Sequence, residues 1–190
     1  KESNTRFLLI NNNWSGLVID GSLENVNYIK NDNISWAHDI HAYHSFITKE
    51  NINDTIQQFL SEGYSSEIGI LSIDIDGVDY WVWQEINVVN PVLVIVEYNS
   101  AFGLAPWTVP YYADFYRHNF KNPYQYWGAS LAAFNHLALG KGYTFIGCNS
   151  AGNNAYFLRN DKLVEAIPTP SLEEGYVEAK FREYFDDLGN

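Results

Sequence analysis

The chain has 190 residues, of which 46% are hydrophobic and 18% charged, a balance typical of a globular protein. Its formal net charge of −12 argues against a surface for nucleic acid or for an anionic membrane, because both need basic patches. No apolar run approaches the roughly 20 residues of a membrane span. The single cysteine, Cys148, fits a reducing compartment, so we expect a cytoplasmic protein.

The N-terminal third is predicted to alternate between helices and strands. The predicted elements are a short helix after Ser3 or Asn4, a strand over residues 16–19, a helix over 23–30, a short strand over 45–48 and a helix with an apolar stripe over 52–60. Asp20 closes the first strand. It is placed either to receive ribose hydroxyls or to form a simple turn with Gly21 and Ser22.

Three histidines, His38, His41 and His44, fall at a spacing of three residues. In a helix they would share one face, and a metal site is one interpretation of that spacing. Histidines that are solvated or satisfied in a core are the commoner one.

The middle of the chain predicts a βαβ unit. Two apolar, β-branched runs, residues 68–73 and 92–96, are separated by a helix-length segment, so we expect two parallel buried strands. Asp74 and Asp76 follow the first strand, and Glu97 and Asn99 follow the second. Parallel strands end at the same sheet edge, where α/β proteins bind ligands, so these four side chains should converge.

The alternative for Asp76 and Asp79 is purely structural. An Asp-Gly pair is common where a strand turns into a helix, and Asp79 is well placed to favour a helix N-terminus by its charge.

Residues 100–126 form an aromatic segment without a clear period, containing three prolines together with Arg117 and His118. Long irregular segments are often lids or binding loops. Because it follows the second strand of the βαβ unit, we expect it to cover the acidic edge and face a substrate. The alternatives are a hydrophobic flap or a contact in a homo-oligomer.

The C-terminal third predicts a helix through Leu139, two strands over residues 143–148 and 154–159 that pair as an antiparallel hairpin, and an acidic helix over 171–188. No linker or internal repeat divides the chain. We therefore expect one domain over residues 1–190.

Residues 71–77, with the sequence LSIDIDG, resemble the signature Ile-Asp-(Val/Ile)-(Glu/Asp)-Gly of FkbM-like methyltransferases. Downstream, Pro91 precedes a strand that ends in Glu97, Lys141-Gly142-Tyr143 leads into the next strand, and residues 154–157 (NAYF) lie in the hairpin. The resemblance covers about residues 3–162. It implies a class I methyltransferase of α/β fold: a Rossmann-like three-layer sandwich whose mostly parallel sheet ends in a C-terminal antiparallel hairpin.

The resemblance also implies a cofactor, S-adenosylmethionine. An acid at the end of the family's second strand holds the ribose, and Asp20 matches it, so the implied cofactor-binding residues are Asp20, Gly21, Ser22 and Asp74. The family's Gly-rich cofactor loop precedes the helix with which this chain begins. We therefore expect a chain that is truncated at its N-terminus and lacks that loop.

Related sugar O-methyltransferases hold a divalent metal on acids at the ends of two neighbouring strands. Asp74, Asp76, Glu97 and Asn99 stand in comparable places, and their oxygen atoms suit Mg²⁺ or Ca²⁺. Such a metal lowers the pKa of an acceptor hydroxyl while a carboxylate acts as base. The expected catalytic residues are Asp74, Asp76 and His118.

Three functions are compatible with these patterns. The first is an O-methyltransferase acting on a hydroxyl of a sugar, glycan or similar small acceptor. The second is a glycosyltransferase that uses Mg²⁺ or Mn²⁺ and a nucleotide sugar, because Asp74-Ile75-Asp76 is a DxD sequence. The third is a non-catalytic binding module on a degenerate methyltransferase fold.

Overall fold

A computed structural model describes residues 3–121 and 125–180 of the chain. The chain divides into two compact units, Lys1–Tyr64 (unit 1) and Ser65–Asn190 (unit 2). Each unit has a sheet of its own, and we describe each by itself.

The described part of unit 1 contains four helices and a two-stranded parallel sheet. In chain order its elements are α1 (Arg6–Asn12), β1 (Gly16–Asp20), α2 (Leu23–Asn31), α3 (Ile34–Ala37), β2 (Ile40–His44) and α4 (Ile52–Leu60). Local sequence explains the helix ends. Asn13 ends α1 in the left-handed region, with φ of 52°, and the Ser22 hydroxyl accepts a hydrogen bond from the Asn25 amide to cap α2.

One prediction for unit 1 is wrong, and one of the two interpretations of the histidines does not hold. The second strand lies at Ile40–His44 rather than at residues 45–48. The three histidines do not share a helix face, because His41 and His44 lie on this strand, where a spacing of three places side chains on opposite faces. Ile40 and Tyr43, together with pairing to β1, favour the strand over the helix that the histidine spacing would suggest.

The described part of unit 2 contains a four-stranded mixed sheet and three α-helices. The elements are β3 (Ile70–Ile73), α5 (Asp79–Glu85), β4 (Leu93–Glu97), α6 (Leu131–Gly140), β5 (Tyr143–Cys148), β6 (Asn154–Arg159) and α7 (Leu172–Gly175). The sheet order is β3-β4-β6-β5. The predicted parallel pair of the βαβ unit and the predicted antiparallel hairpin are both confirmed.

The core of unit 2 lies between this sheet and its helices. Val94 and Val96 of β4 are fully buried, as expected of a central strand covered on both faces. Trp83 of α5 packs its ring near those of Phe134 on α6 and Phe157 on β6, with centroids 6.2 and 5.3 Å away. These large aromatic side chains fix the two helices on the sheet.

The chain is therefore an α/β protein, but its sheets are small and mixed. The four-stranded sheet of unit 2 is not mostly parallel, because β6 pairs antiparallel with both β4 and β5, and the parallel sheet of unit 1 has only two strands. In its described residues, 100–121 and 125–126, the aromatic segment is irregular, as predicted, with two short 3₁₀ turns at Ser100–Phe102 and Arg117–Asn119. No helix in residues 3–121 and 125–180 is long and apolar enough to cross a membrane.

The C-terminal helix predicted over residues 171–188 is short in the described part. Ser171 and Glu174 form a capping box, yet α7 ends at Gly175 and residues 176–180 are not helical. Instead, the Tyr176 hydroxyl donates a hydrogen bond to the Ser100 carbonyl at 2.7 Å, which draws the chain back toward the end of β4. Residues 181–188 of the predicted helix lie outside the described residues.

Candidate functional site

Three carboxylates meet at the carboxyl edge of the sheet in unit 2. Asp74 and Asp76 follow β3, Glu97 ends β4, and one oxygen from each lies within 4.8 Å of the others. The cause is topological, since β3 and β4 are parallel and their ends share one edge. Of the four side chains predicted to converge, these three carboxylates lie together. Their roles as metal ligands or catalysts stay predictions. We call this cluster the carboxylate triad.

A fourth acid, Asp79, holds the loop that carries two members of the triad. Its carboxylate is fully buried and accepts hydrogen bonds from the backbone amides of Ile75 and Gly77, each at 3.0 Å. Between those amides Asp76 adopts the left-handed region, with φ of 59°, a conformation that Asp tolerates better than most residues. The loop is therefore shaped by a buried anion at the first position of α5.

Burial also sets the ionisation of Asp79. Burial raises the pKa of the Asp79 carboxyl to about 6, and the charge of Asp74 acts in the same direction. The two backbone hydrogen bonds oppose this shift because they favour the charged form. Asp79 is thus ionised at neutral pH. Its burial makes the charged form costly in free energy, and the hydrogen bonds from the two loop amides partly offset that cost.

The aromatic segment contacts the loop that carries the triad. The Arg117 guanidinium lies 2.6 Å from Asp76 Oδ1. The buried ring of Phe115 presses on Gly77, where an added Cβ would lie 2.3 Å from a ring carbon. In addition, the Gly128 amide donates to the Gly77 carbonyl at 2.8 Å. The segment therefore contacts the loop at the acidic edge; that it covers this edge and faces a substrate stays a prediction.

Asn99, predicted as a metal ligand, is completely buried and ties the aromatic segment to the end of β4. Its side-chain nitrogen donates to the carbonyls of Gln125 and Trp127, and its oxygen accepts from the Ala101 amide at 3.1 Å. These bonds make Asn99 an anchor of the segment, and its place among the ligands stays a prediction.

His118, predicted as catalytic, is exposed in the 3₁₀ turn beside Arg117. Its ring lies 5.1 Å from that of Tyr116. His118 directly follows Arg117, which forms the ion pair with Asp76. The catalytic role of His118 stays a prediction.

The predicted cofactor residues Asp20, Gly21 and Ser22 lie in unit 1, whereas Asp74 lies in unit 2. Asp20 Oδ1 accepts from the Ser22 amide at 2.7 Å and Oδ2 accepts from the Asn25 side chain at 3.0 Å. The turn interpretation of Asp20 is therefore confirmed, and its cofactor role stays a prediction.

The sequence analysis did not assign three residues near the carboxylate triad to a functional site. Asp79 was assigned only a helix-favouring charge, although its position two residues after an Asp-Gly pair is a signal for a loop-capping acid. Arg117 was noted without a partner. Asn154, which begins β6 opposite Glu97, was noted only within the motif of residues 154–157, because the pairing of β6 with β4 is long-range and cannot be read from local sequence.

No protein-family model, no curated protein and no solved structure matches the chain. The function proposed below is therefore argued from the contacts described above.

Proposed function

We propose that this chain acts in the transfer of a methyl group from S-adenosylmethionine to a hydroxyl of a sugar, glycan or similar small acceptor. The observation that carries the proposal is the carboxylate triad lying at the ends of two parallel strands beneath an aromatic segment. The methyltransferase-like, Rossmann-like fold is part of the proposal. Its support is the order of elements in unit 2, a parallel pair followed by an antiparallel end hairpin.

The triad suits a divalent cation. Three carboxylates within 4.8 Å of one another repel unless a positive charge is present, and Arg117 contacts Asp76 from one side. Oxygen ligands of this kind select hard cations such as Mg²⁺ or Ca²⁺. When bound, such a cation would polarise an acceptor hydroxyl and lower its pKa.

The chain's own residues then supply a base and a binding surface. An oxygen of the Asp74 or Asp76 carboxylate that does not contact the cation would accept the proton of the acceptor hydroxyl. The half-exposed ring of Trp107 and the neighbouring ring of Tyr126, with centroids 6.2 Å apart, offer faces on which a sugar ring can stack.

For the cofactor, Asp20 offers an acid at the end of β1. Each of its oxygens already accepts one hydrogen bond, and each keeps a second lone pair that a ribose hydroxyl could use. Asp20 therefore has the acceptor atoms that the ribose hydroxyls need, and the argument rests on these atoms rather than on a position for the cofactor. S-adenosylmethionine would supply an activated methyl group.

Calorimetric titration with S-adenosylhomocysteine tests the proposal. We expect saturable binding that S-adenosylmethionine competes away, and at least a tenfold loss of affinity in Asp20→Asn. Asp32→Asn is the matched control, because Asp32 likewise caps a backbone amide two residues on, that of Ile34 at 2.9 Å. Absence of heat at millimolar ligand would overturn the cofactor assignment.

A glycosyltransferase is the second candidate, because both aspartates of the DxD sequence belong to the triad. Thermal-shift measurements with UDP- and GDP-sugars in the presence of Mn²⁺ separate the two enzymes. Stabilisation by a nucleotide sugar but not by S-adenosylhomocysteine would favour the glycosyltransferase. Stabilisation by neither would favour a non-catalytic module.

A further inference from the structure

Asn154 presents a buried amide whose oxygen is unsatisfied. The residue is 8% exposed, and its Oδ1 accepts no hydrogen bond from the residues that the structure describes. Its backbone is fixed on both sides by Asn149, whose Oδ1 accepts from the Asn154 amide at 3.1 Å and whose amide donates to the Asn154 carbonyl at 2.9 Å. A buried acceptor without a partner costs about 1–3 kcal/mol, and in native proteins it often marks the place of an ion or a bound water.

The register of the sheet places the Asn154 side chain on the same face as Glu97, a member of the carboxylate triad. Asn154 begins β6 directly opposite Glu97, the last residue of β4, in an antiparallel pair. Opposite residues in such a pair direct their side chains to the same face, with Cβ atoms about 4.5–5.5 Å apart. The Asn154 amide therefore stands beside a carboxylate that already lies within 4.8 Å of Asp74 and Asp76.

We infer that Asn154 is the fourth oxygen ligand of a site for a hard divalent cation, formed with Asp74, Asp76 and Glu97. The inference rests on the cation-assisted function proposed above. The chemistry is consistent: three carboxylates already exceed the charge of a divalent ion, so a neutral amide oxygen completes the ligand set without further repulsion. Carboxylates and side-chain carbonyls together are the usual ligands of Ca²⁺ and Mg²⁺.

A second property distinguishes Asn154 from Asn99, the ligand predicted from the sequence. The side-chain oxygen of Asn99 accepts the Ala101 amide, and its nitrogen holds two carbonyls of the aromatic segment. The Asn154 oxygen has no such bond among the described residues. Binding a cation would therefore satisfy Asn154 without breaking an existing contact.

Terbium luminescence tests the inference, since Tb³⁺ occupies oxygen sites and is sensitised by tryptophan. The titration uses the full chain, with Mg²⁺ and Ca²⁺ as competitors. We expect saturable emission and about a tenfold loss of Tb³⁺ affinity in Asn154→Ala. Asn154→Asp keeps an oxygen ligand at this position and should bind Tb³⁺ more tightly than Asn154→Ala. Asn160→Ala, at the opposite end of β6, is the matched control and should leave the affinity unchanged.

A merely structural role for Asn154 predicts a different pattern. Unchanged Tb³⁺ affinity in Asn154→Ala, together with a loss in Asp74→Asn, overturns the inference and leaves the triad and the proposed function standing. Absence of saturable Tb³⁺ binding in the natural protein overturns both the four-ligand site and the cation assistance. Binding of S-adenosylhomocysteine is measured separately and reports on methyl transfer independently of either result.

Discussion

Asp79 makes the stability of this protein depend on pH in an unusual direction. Its pKa is raised to about 6 in the folded chain, against an ordinary value of 3.8. Between those values the folded chain binds more protons than the unfolded chain, so the free energy of unfolding falls as pH rises from about 4 to about 6. The shift corresponds to about 3 kcal/mol at most.

Urea denaturation of the natural protein and of Asp79→Asn from pH 4 to pH 7 checks this prediction. The asparagine does not titrate, so the difference in unfolding free energy between the two proteins should change across that range in favour of the variant. Parallel curves would contradict it.

Gly77 is a second residue whose identity is fixed by packing. In Gly77→Ala the new Cβ would meet the Phe115 ring at 2.3 Å, so the buried ring must move and the aromatic segment with it. We expect a loss of about 1–3 kcal/mol in the free energy of unfolding. Gly140→Ala is the control: its Cβ meets nothing within 4 Å, and it should stabilise the end of α6 by up to about 1 kcal/mol. Equal effects in the two variants would refute the packing argument.

At the scale of elements, the N-terminus of α6 fastens one part of the aromatic segment. The Ser130 hydroxyl accepts from the Ala133 amide and from the Trp107 amide, both at 3.1 Å. Ser130→Ala should therefore cost about 2 kcal/mol, at the upper end for a helix cap. Ser22→Ala removes only one longer bond, of 3.4 Å, and should cost less. Chemical denaturation of the two variants tests this prediction: Ser130→Ala should lower the midpoint more than Ser22→Ala does.

In unit 1, a network of polar side chains joins β2 to the residues after α4. The His41 ring contacts the Tyr64 hydroxyl at 2.9 Å and Glu62 at 3.2 Å, and Tyr64 donates to Asp39 at 2.7 Å. The hydrogen bond to Asp39 raises the pKa of Tyr64 to about 12. The stability that this bond contributes is present below pH 10 and is lost as pH rises toward 12.

Absorbance titration of tyrosinate checks the network. The natural protein should show a tyrosine that ionises near pH 12, and Tyr64→Phe should lose that component while keeping the stacked contact with Phe59, whose ring centroid lies 4.1 Å away. Tyr28→Phe, which removes an exposed tyrosine of α2, is the control and should keep the late component.

The elements were predictable to the extent that local patterns determine them. The β-branched runs around β3 and β4, and Ser22 before α2, give signals within a few residues. The strand at β2 was missed because its polar histidines hide the strand pattern. Within the described residues, α7 is shorter than predicted because Tyr176 and Val177 hydrogen-bond back to Ser100 and Tyr98 instead of continuing the helix. At the site, the triad followed from parallel strands, whereas Asn154 depended on a pairing between residues 57 positions apart, Glu97 and Asn154, that no local pattern encodes.

At the scale of the whole chain, we expect the backbone amides of the two units to differ in their protection from hydrogen exchange. β4 is paired on both sides and buries Val94 and Val96 completely, while every residue of β1 is only partly buried. Amides within the strongest hydrogen-bonded core open only with global unfolding. Hydrogen–deuterium exchange followed by mass spectrometry should therefore show β4 and β6 as the slowest segments and α1 and β1 as faster ones. Slower exchange in β1 than in β4 would contradict this order.

The return of residues 176–179 to the end of β4 has a practical consequence. Tyr176 donates to the Ser100 carbonyl and the Ala179 amide donates to the Ser100 hydroxyl, while the Tyr98 hydroxyl donates to the Val177 carbonyl. Both anchor points, Tyr98 and Ser100, lie within three positions of Glu97. A chain cleaved or shortened before Tyr176 would lose these hydrogen bonds, and the end of β4 that carries Glu97 would be held less firmly. Ligand affinities measured on such a chain should therefore be weaker than those of the intact polypeptide.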